Sequence, residues 1–157
     1  SMSDGKLCYG ITEMGSYTYE QGKGIMRESI LNSFVAKALR HFEMGRIVIF
    51  ACGTGNPYFS TDTGAVLRGV EIEADAVLMA KNIDAIYSAD PKKDPNAIRY
   101  TEVTYRQIIS EDLRAMDMSS TIFCMDNGIN GYAFGLADPE NIYRAVMGEP
   151  VGTAIHN

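Results

Sequence analysis

One run rich in glycines and hydroxyl groups, GTGNPYFSTDTG at residues 53–64, most constrains how this chain can fold. An apolar segment at residues 47–51 precedes the run, and a helix-like pattern of apolar residues at 65–72 follows it. The β-branched segment is typical of a central parallel strand that is covered on both faces. The run is therefore expected to join a buried strand to a helix start, where free amides and the helix dipole favour an anion. We infer a phosphate site in this loop.

The same loop also has a simpler interpretation. Ser60 or Thr61 can cap the following helix through a hydroxyl, and Asp62 then lies in the first turn, where a carboxylate complements the dipole. A capped connection between strand and helix, without a ligand, is therefore the alternative. Ligand binding is favoured because an ordinary connection is shorter and carries fewer small and polar residues.

The rest of the chain alternates predicted helices and strands. Apolar periodicity and glycine or proline boundaries predict helices over residues 26–44, 103–113, 116–127 and 139–147. Strands are predicted over residues 6–12, 47–51, 76–80, 131–136 and 151–155, and exposed loops over residues 15–24 and 88–99. This order, without an internal repeat or a linker, predicts an α/β protein with a layered, mostly parallel sheet.

Length, net charge and cysteine spacing limit the domain number, the partners and the location that we expect for this chain. The length of 157 residues predicts one domain over residues 6–157, and residues 1–5 are interpreted as a tag remnant and the start of the chain. The net charge of −6 argues against a nucleic-acid partner. Without an apolar run near the roughly 18 residues of a membrane span, and without a signal peptide, no membrane partner is expected. The three scattered cysteines lack metal-site spacing and suit reduced thiols, so a cytoplasmic location is expected.

Further motifs accompany the loop in a fixed order. They are AKNIDAIYSADPKKDP from Ala80, LRAMD from Leu113, CMDNG from Cys124 and MGEPVGT from Met147. Together with GTGNPYFSTDTG, and from about Met14 to the C-terminus, they resemble the bacterial uridylate (UMP) kinase family. The resemblance implies the amino-acid kinase fold, a three-layer α/β sandwich around a mostly parallel sheet. It also implies transfer of the γ-phosphoryl group of ATP to UMP with Mg²⁺, in pyrimidine nucleotide biosynthesis.

The resemblance further implies where the substrates bind. The UMP site would be formed by Thr54, Gly55, Asn56, Pro57, Tyr58, Phe59, Ser60 and Thr61. The ATP site would be lined by Lys81, Asn82, Tyr87 and Asp90. Solvation of Lys81 and simple packing of Tyr87 are the alternatives to these roles.

Two aspartates carry the catalytic roles that the resemblance implies. Asp62 would lie by the reacting phosphates, and Asp117 matches the family's Met-Asp motif. Both would serve as partners of Mg²⁺ or of its water shell rather than as bases, since Mg²⁺ prefers few carboxylates together with phosphates and waters. No metal site built by the protein alone is expected. The alternatives are a helix-start carboxylate at Asp62 and a helix N-cap at Asp117.

One part of the family pattern does not occur in these residues. Family members carry a Lys-x-Ser-Gly motif and a Gly-Gly-Gly-Asn stretch, which hold the transferring phosphates, and neither is found here. The chain is therefore expected to be N-terminally truncated, resembling the C-terminal two-thirds of a UMP kinase. Because donors to the transferring group are worth several kcal/mol each, the isolated chain is expected to have negligible kinase activity.

Two other functions are alternatives to a kinase. A non-catalytic nucleotide-binding or oligomerisation module is the main alternative, and a homo-oligomer is expected because family members form hexamers. An NAD-dependent oxidoreductase is disfavoured, because the glycine run lacks the G-x-G-x-x-G pattern.

Overall fold

The structure is a computed structural model that describes residues 25–51 and 53–157, with side chains from residue 34 onward. The predicted strand at residues 6–12 and loop at 15–24 lie outside the described residues. The described elements are, in chain order, α1 (Ile25–Glu43), α2 (Thr61–Glu71), β1 (Ala76–Lys81), β2 (Glu102–Thr104), α3 (Tyr105–Ser110), α4 (Met118–Asn127), β3 (Asn130–Gly135), α5 (Glu140–Val146) and β4 (Gly152–His156).

The four strands form one sheet in the order β1-β3-β4-β2. Strand β1 runs parallel to β3, with Ala76 opposite Asn130, and β2 runs parallel to β4, with Glu102 opposite Ala154. Only the central pair, β3 and β4, is antiparallel among these described strands. The predicted α/β fold with a mostly parallel sheet is therefore confirmed.

The main core lies between one face of this sheet and the helices α2, α3 and α4. Its buried side chains come from all these elements and include Val66, Val77, Met79, Val103, Ile108, Cys124, Ala133 and Ile155. Tyr105 is also fully buried, and its hydroxyl donates to the Ile129 carbonyl at 2.7 Å, so its polar end is satisfied. Cys124 is a free thiol, and burial raises its pKa. On the opposite face, Tyr132 donates to the Glu149 carbonyl at 3.1 Å, which places the turn after α5 there.

A smaller cluster joins α1 to the rest of the chain. Ala38 of α1, Val48 and Ile72 are buried together, and α1 ends one residue before the predicted boundary. The prediction of a strand at residues 47–51 is wrong, because this segment pairs with no strand in the described part of the chain. An apolar run becomes a strand only where a ladder of backbone partners is available, and here Val48 is buried while Ile47 is 69% exposed.

The predicted helix at residues 103–113 is also partly wrong. Its first residues form β2, and α3 is confined to Tyr105–Ser110. Thr104 is the last residue of β2 and the N-cap of α3. Its side chain accepts a hydrogen bond from the Gln107 amide at 3.1 Å and so starts the helix. The spacing of Thr104 and Gln107 is a capping-box signature that could have located this helix start from sequence.

The remaining predicted elements agree with the structure within about two residues, which is the ordinary uncertainty of helix and strand ends. Gly128, with a φ of 66°, ends α4 in the left-handed conformation that favours glycine. In the described residues, no helix has both the length and the apolar character that crossing a membrane would require.

Candidate functional site

The glycine-rich loop, residues 53–60, lies directly on the start of α2. A Cβ added at Gly64 would stand 3.3 Å from the Gly53 carbonyl carbon, so any larger residue here would push the loop away by a few tenths of an ångström. Within the loop, the Thr54 hydroxyl accepts from the Asn56 amide at 3.1 Å. Tyr58 has a φ of 71° and a fully exposed side chain. The loop is thus anchored at its ends while its middle faces solvent.

Ser60 ends this loop and caps α2. Its side-chain oxygen accepts from the Thr63 amide at 3.2 Å, and Thr61 is the first residue of the helix. Sequence alone allows Ser60 or Thr61 as the cap, and the structure shows that Ser60 is the cap. Asp62 lies in the first turn, as predicted. The Ser60 hydroxyl also donates to a carboxylate oxygen of Asp117, which lies far away in sequence.

Asp117 caps α4 and receives several hydrogen bonds besides that of Ser60. Its Oδ1 accepts from the Ser120 amide at 2.8 Å, and its Oδ2 accepts from the Ser120 hydroxyl at 2.9 Å. The Thr63 hydroxyl lies 3.3 Å from the same Oδ2. Partial burial would raise the pKa of Asp117, but the hydrogen bonds from Ser60, Ser120 and Thr63 outweigh it and lower the pKa. The structure therefore shows the N-cap interpretation of this residue.

Asp62 and Lys81 form an ion pair across two elements. The Lys81 ammonium, at the carboxyl end of β1, lies 2.7 and 2.8 Å from the two Asp62 carboxylate oxygens. Both side chains are about a quarter exposed, and they line a cavity of about 420 Å³, which we call the ion-pair cavity. Asp112 and Arg114 line this cavity as well. The structure thus brings together one residue predicted for catalysis and one predicted for ATP.

A second cavity, of about 390 Å³, lies on the other side of the first turn of α2. We call it the apolar cavity, because Phe59, Leu67 and Phe123 are among its lining residues. Thr54, Asn56 and Thr63 line it as well. Since Asp62 faces the ion-pair cavity and Thr63 faces the apolar cavity, the first turn of α2 forms the wall between them.

Side-chain hydrogen bonds and an ion pair stabilise the 82–90 segment, which is predicted to contact ATP. Tyr87 donates to Asp84 at 3.0 Å, and Arg99 forms an ion pair with the same carboxylate at 3.1 Å. Burial opposes the shift, but hydrogen bonds from Tyr87 and Arg99 lower the pKa of Asp84. Asp90 accepts from the Lys92 amide at 3.0 Å and so stabilises a turn.

Not all of the predicted site residues come together. In the described part of the chain, neither of the two cavities is lined by Asn82, Tyr87 or Asp90. The same holds for the loop residues Gly55, Pro57 and Tyr58. Of the predicted residues, the structure brings Ser60 into contact with Asp117 and Asp62 into contact with Lys81, and it places Thr54, Asn56 and Phe59 at the apolar cavity.

Sequence reasoning missed three hydroxyl groups that hold these segments. Thr63 and Ser120 contact Asp117, and Thr153 is completely buried beneath the 82–90 segment. The Thr153 hydroxyl accepts from the Ile86 amide at 2.9 Å and donates to the Tyr100 carbonyl at 2.6 Å. Thr63 and Thr153 lie within the motifs GTGNPYFSTDTG and MGEPVGT, and Ser120 lies three residues after LRAMD. The motifs therefore indicate the segments that contain these residues but not their contacts.

The chain is similar in sequence and structure to known kinases. The model of the amino acid kinase family matches residues 14–134. The solved UMP kinase from Bacillus anthracis is similar, with a TM-score of 0.74, 32% identity, and coverage of 78% of this chain and 50% of that chain. UMP kinase from Ureaplasma parvum has a TM-score of 0.73 and 33% identity, covering 80% of this chain and 53% of that chain. Uridylate kinase from Archaeoglobus fulgidus has a TM-score of 0.64 and 33% identity, with coverage of 77% and 57%. This chain spans about half the length of these solved relatives.

Proposed function

This chain belongs to the amino acid kinase family, and we propose that it forms part of a kinase that transfers the γ-phosphoryl group of ATP to UMP. The observation that carries the proposal is the Asp62–Lys81 ion pair, at 2.7 Å. It joins the helix that follows the glycine-rich loop to the strand that leads into the 82–90 segment. Similarity to solved UMP kinases at 32% and 33% identity supports UMP as the acceptor.

The chemistry required of the protein is mainly positioning and charge neutralisation. In this proposal, residues 54–61 hold UMP, with loop amides directed to its phosphate. Asn82, Tyr87 and Asp90 contact the ATP nucleotide. Lys81 supplies a positive charge at the ion-pair cavity, where it can exchange its contact with Asp62 for a phosphate oxygen. Asp62 orients that ammonium and lies next to the transferring group.

Mg²⁺ accompanies ATP in this proposal. Mg²⁺ is usually bound through one or two carboxylates together with substrate phosphates and waters. Asp62 would provide the protein ligand or contact the water shell, and the ion would neutralise charge on the phosphates.

We further propose that these 157 residues alone have negligible turnover. The Lys-x-Ser-Gly and Gly-Gly-Gly-Asn motifs of the family do not occur in them, and the chain covers about half the length of its solved relatives. Loss of one preorganised donor to a developing charge costs on the order of a hundredfold to a thousandfold in rate. Nucleotide binding and turnover should therefore be separable in this chain.

Calorimetric titration with UMP, with CMP and with ATP and Mg²⁺ tests the binding part of the proposal. UMP is expected to bind in preference to CMP. The Lys81→Gln variant is expected to bind ATP about tenfold more weakly, as for loss of a hydrogen bond to a charged group. Lys37→Gln, which alters an exposed lysine of α1, is the matched control and should bind as the unsubstituted chain does.

The possible outcomes separate the proposed functions. Absence of binding to either nucleotide would contradict the kinase proposal and leave an oligomerisation module as the alternative. Equal binding of UMP and CMP would contradict the assignment of the acceptor. An ADP-release assay with UMP and ATP that showed robust turnover would overturn the proposed inactivity of the isolated chain, and it would exclude a non-catalytic module.

A further inference from the structure

The N-termini of α2 and α4 are joined by their own capping residues. Ser60 caps α2 and Asp117 caps α4, and the Ser60 hydroxyl donates to the Asp117 carboxylate. Each cap residue therefore has two tasks, because it satisfies its own helix and contacts the cap of the other. The end of the glycine-rich loop is in this way fixed to α4, an element that is remote in sequence.

Thr63 is the residue that contacts both caps. Its amide donates to Ser60 at 3.2 Å, while its hydroxyl lies 3.3 Å from the Asp117 carboxylate and 3.2 Å from the Ser120 hydroxyl. Ser120 is fully buried, and Thr63 is partly buried. Thr63 thus links the loop end, the capping carboxylate and the buried first turn of α4.

The Asp117 carboxylate is already well supplied with donors. Three hydroxyl groups and one amide surround its two oxygens, from Ser60, Thr63 and Ser120. An ionised carboxylate offers about four lone-pair positions, so these donors leave little capacity for a metal ion. This arrangement assigns Asp117 to holding the loop rather than to contacting Mg²⁺.

We propose that Thr63 is a positioning residue which, through Asp117, holds the glycine-rich loop in the conformation that binds UMP. The inference rests on the proposed function, since it assumes that this loop takes the acceptor nucleotide. A loop that is already ordered loses less conformational entropy when its ligand binds. Removing the Thr63 hydroxyl therefore weakens UMP binding. ATP binding is spared, because Lys81 and Asp62 face the other cavity.

Hydrogen exchange of the nucleotide-free chain tests the positioning itself. In Thr63→Val, the amides of residues 53–63 are expected to exchange about tenfold faster, as for loss of a hydrogen bond to a charged group. The amides of β3 should keep their rates, whereas a general loss of stability would accelerate both regions. Thr63→Ser retains the hydroxyl and should restore slow exchange in the loop. Thr101→Val, at an exposed threonine before β2, is the matched control.

Calorimetry of the same variants tests the consequence for binding. Thr63→Val should raise the Kd for UMP about tenfold and change the Kd for ATP less than twofold, while Thr63→Ser remains near the unsubstituted value. Ser120→Ala removes a second contact of the same carboxylate and provides an independent test should Thr63→Val fold poorly.

The results distinguish this inference from the proposed function. If the unsubstituted chain binds no UMP, the proposed function fails, and the dependence of UMP binding on Thr63 fails with it. If UMP binds but Thr63→Val and Ser120→Ala leave both loop exchange and UMP affinity unchanged, the role of Thr63 is wrong while the proposed function stands. Equal weakening of UMP and ATP binding would indicate a general structural role and would also overturn the inference.

Discussion

The Asp117 carboxylate is only partly buried, yet it accepts hydrogen bonds from four donor groups. The donors from Ser60, Thr63 and Ser120 stabilise the ionised carboxylate, and they lower its pKa despite the opposing effect of burial. A helix cap that loses its charge loses part of each of these contacts at once. The free energy of unfolding should therefore depend on the ionisation of this single side chain.

We expect Asp117→Asn to destabilise the chain by about 1 kcal/mol near neutral pH, because asparagine keeps the cap but accepts weaker hydrogen bonds than the ionised carboxylate does. Because the folded-state pKa lies below the unfolded value of about 3.9, the contribution of the charge is complete above that value. It is lost as the pH falls through the lowered folded pKa. Urea denaturation at a series of pH values should show the difference between the two proteins shrinking in acid. A difference that stayed constant down to the lowest pH would contradict this assignment of the network.

The Asp62–Lys81 pair allows a second test at the level of single residues. Both side chains are partly exposed, so their attraction is screened, and we expect a coupling energy of about 0.5 to 1 kcal/mol. A double-mutant cycle with Asp62→Asn and Lys81→Gln, read from urea denaturation in low salt and in high salt, measures it. The coupling should decrease in high salt. Additive effects in low salt would show that the pair does not form in solution.

At the scale of elements, the close contact between α2 and the glycine-rich loop depends on Gly64. An alanine there would bring its Cβ to 3.3 Å from Gly53 and 3.4 Å from the Thr54 amide, so the loop must shift by a few tenths of an ångström. The helix itself gains about 1 kcal/mol of propensity. We therefore expect Gly64→Ala to leave the denaturation midpoint almost unchanged and to weaken UMP binding several-fold, as measured by calorimetry.

Gly69→Ala is the control within the same helix. Its new Cβ would meet the Val77 side chain at 3.1 Å, inside the core and away from the loop. This variant should change stability but not UMP affinity. Equal UMP affinity for Gly64→Ala and the unsubstituted chain would show that the loop position does not control binding.

The sequence predicts an element correctly where the interactions that form it are local in sequence, and it fails where they join distant residues. Local signals located α2 and α4, limited the cap of α2 to Ser60 or Thr61 and offered Asp117 as a cap of α4, because these caps act on amides three residues away. Strand β2 was missed, since its pairing with β4 joins residues about fifty positions apart. A short apolar run such as residues 47–51 fits a strand or a buried coil equally well, and only the presence of a partner strand decides.

In the candidate site, too, local sequence signals predict the segments but not the contacts between distant residues. Motifs identified the glycine-rich loop and Asp62, but the contact of Asp62 with Lys81 and that of Ser60 with Asp117 depend on how separate elements pack. The hydroxyls of Thr63 and Thr153 have no local signature, because their partners are distant in sequence. Sequence therefore predicted the segments of the site more reliably than the contacts between them.

Thr153 gives a prediction for the packing of the 82–90 segment onto β4. Replacing it with valine preserves its shape but leaves the Ile86 amide and the Tyr100 carbonyl without this partner. Thr153→Val should cost about 1 to 3 kcal/mol, the penalty for unsatisfied buried polar groups. Urea denaturation measures the loss, and Thr153→Ser, which keeps the hydroxyl, should lose less. An equal or larger loss in Thr153→Ser would indicate that the methyl group, not the hydroxyl, matters.

At the scale of the whole molecule, residues 47–51 combine an exposed apolar side chain with backbone that forms no β-ladder in the described part of the chain. Ile47, the first residue of this segment, is 69% exposed. Backbone that is not paired with a neighbouring strand, together with an apolar side chain, is a template for pairing with another chain. We therefore propose that the expected homo-oligomer forms through this segment.

Sedimentation velocity over about a hundredfold range of concentration should therefore show reversible self-association, which follows mass action. Ile47→Lys should shift the equilibrium towards monomer, because charged side chains oppose pairing at exposed strand-like segments. Ile98→Lys introduces the same charge at a 62% exposed isoleucine in the loop that follows the 82–90 segment, and it should leave the equilibrium unchanged. An equal effect of both substitutions would attribute association to net charge rather than to residues 47–51. A monomer at every concentration would contradict the proposed oligomer.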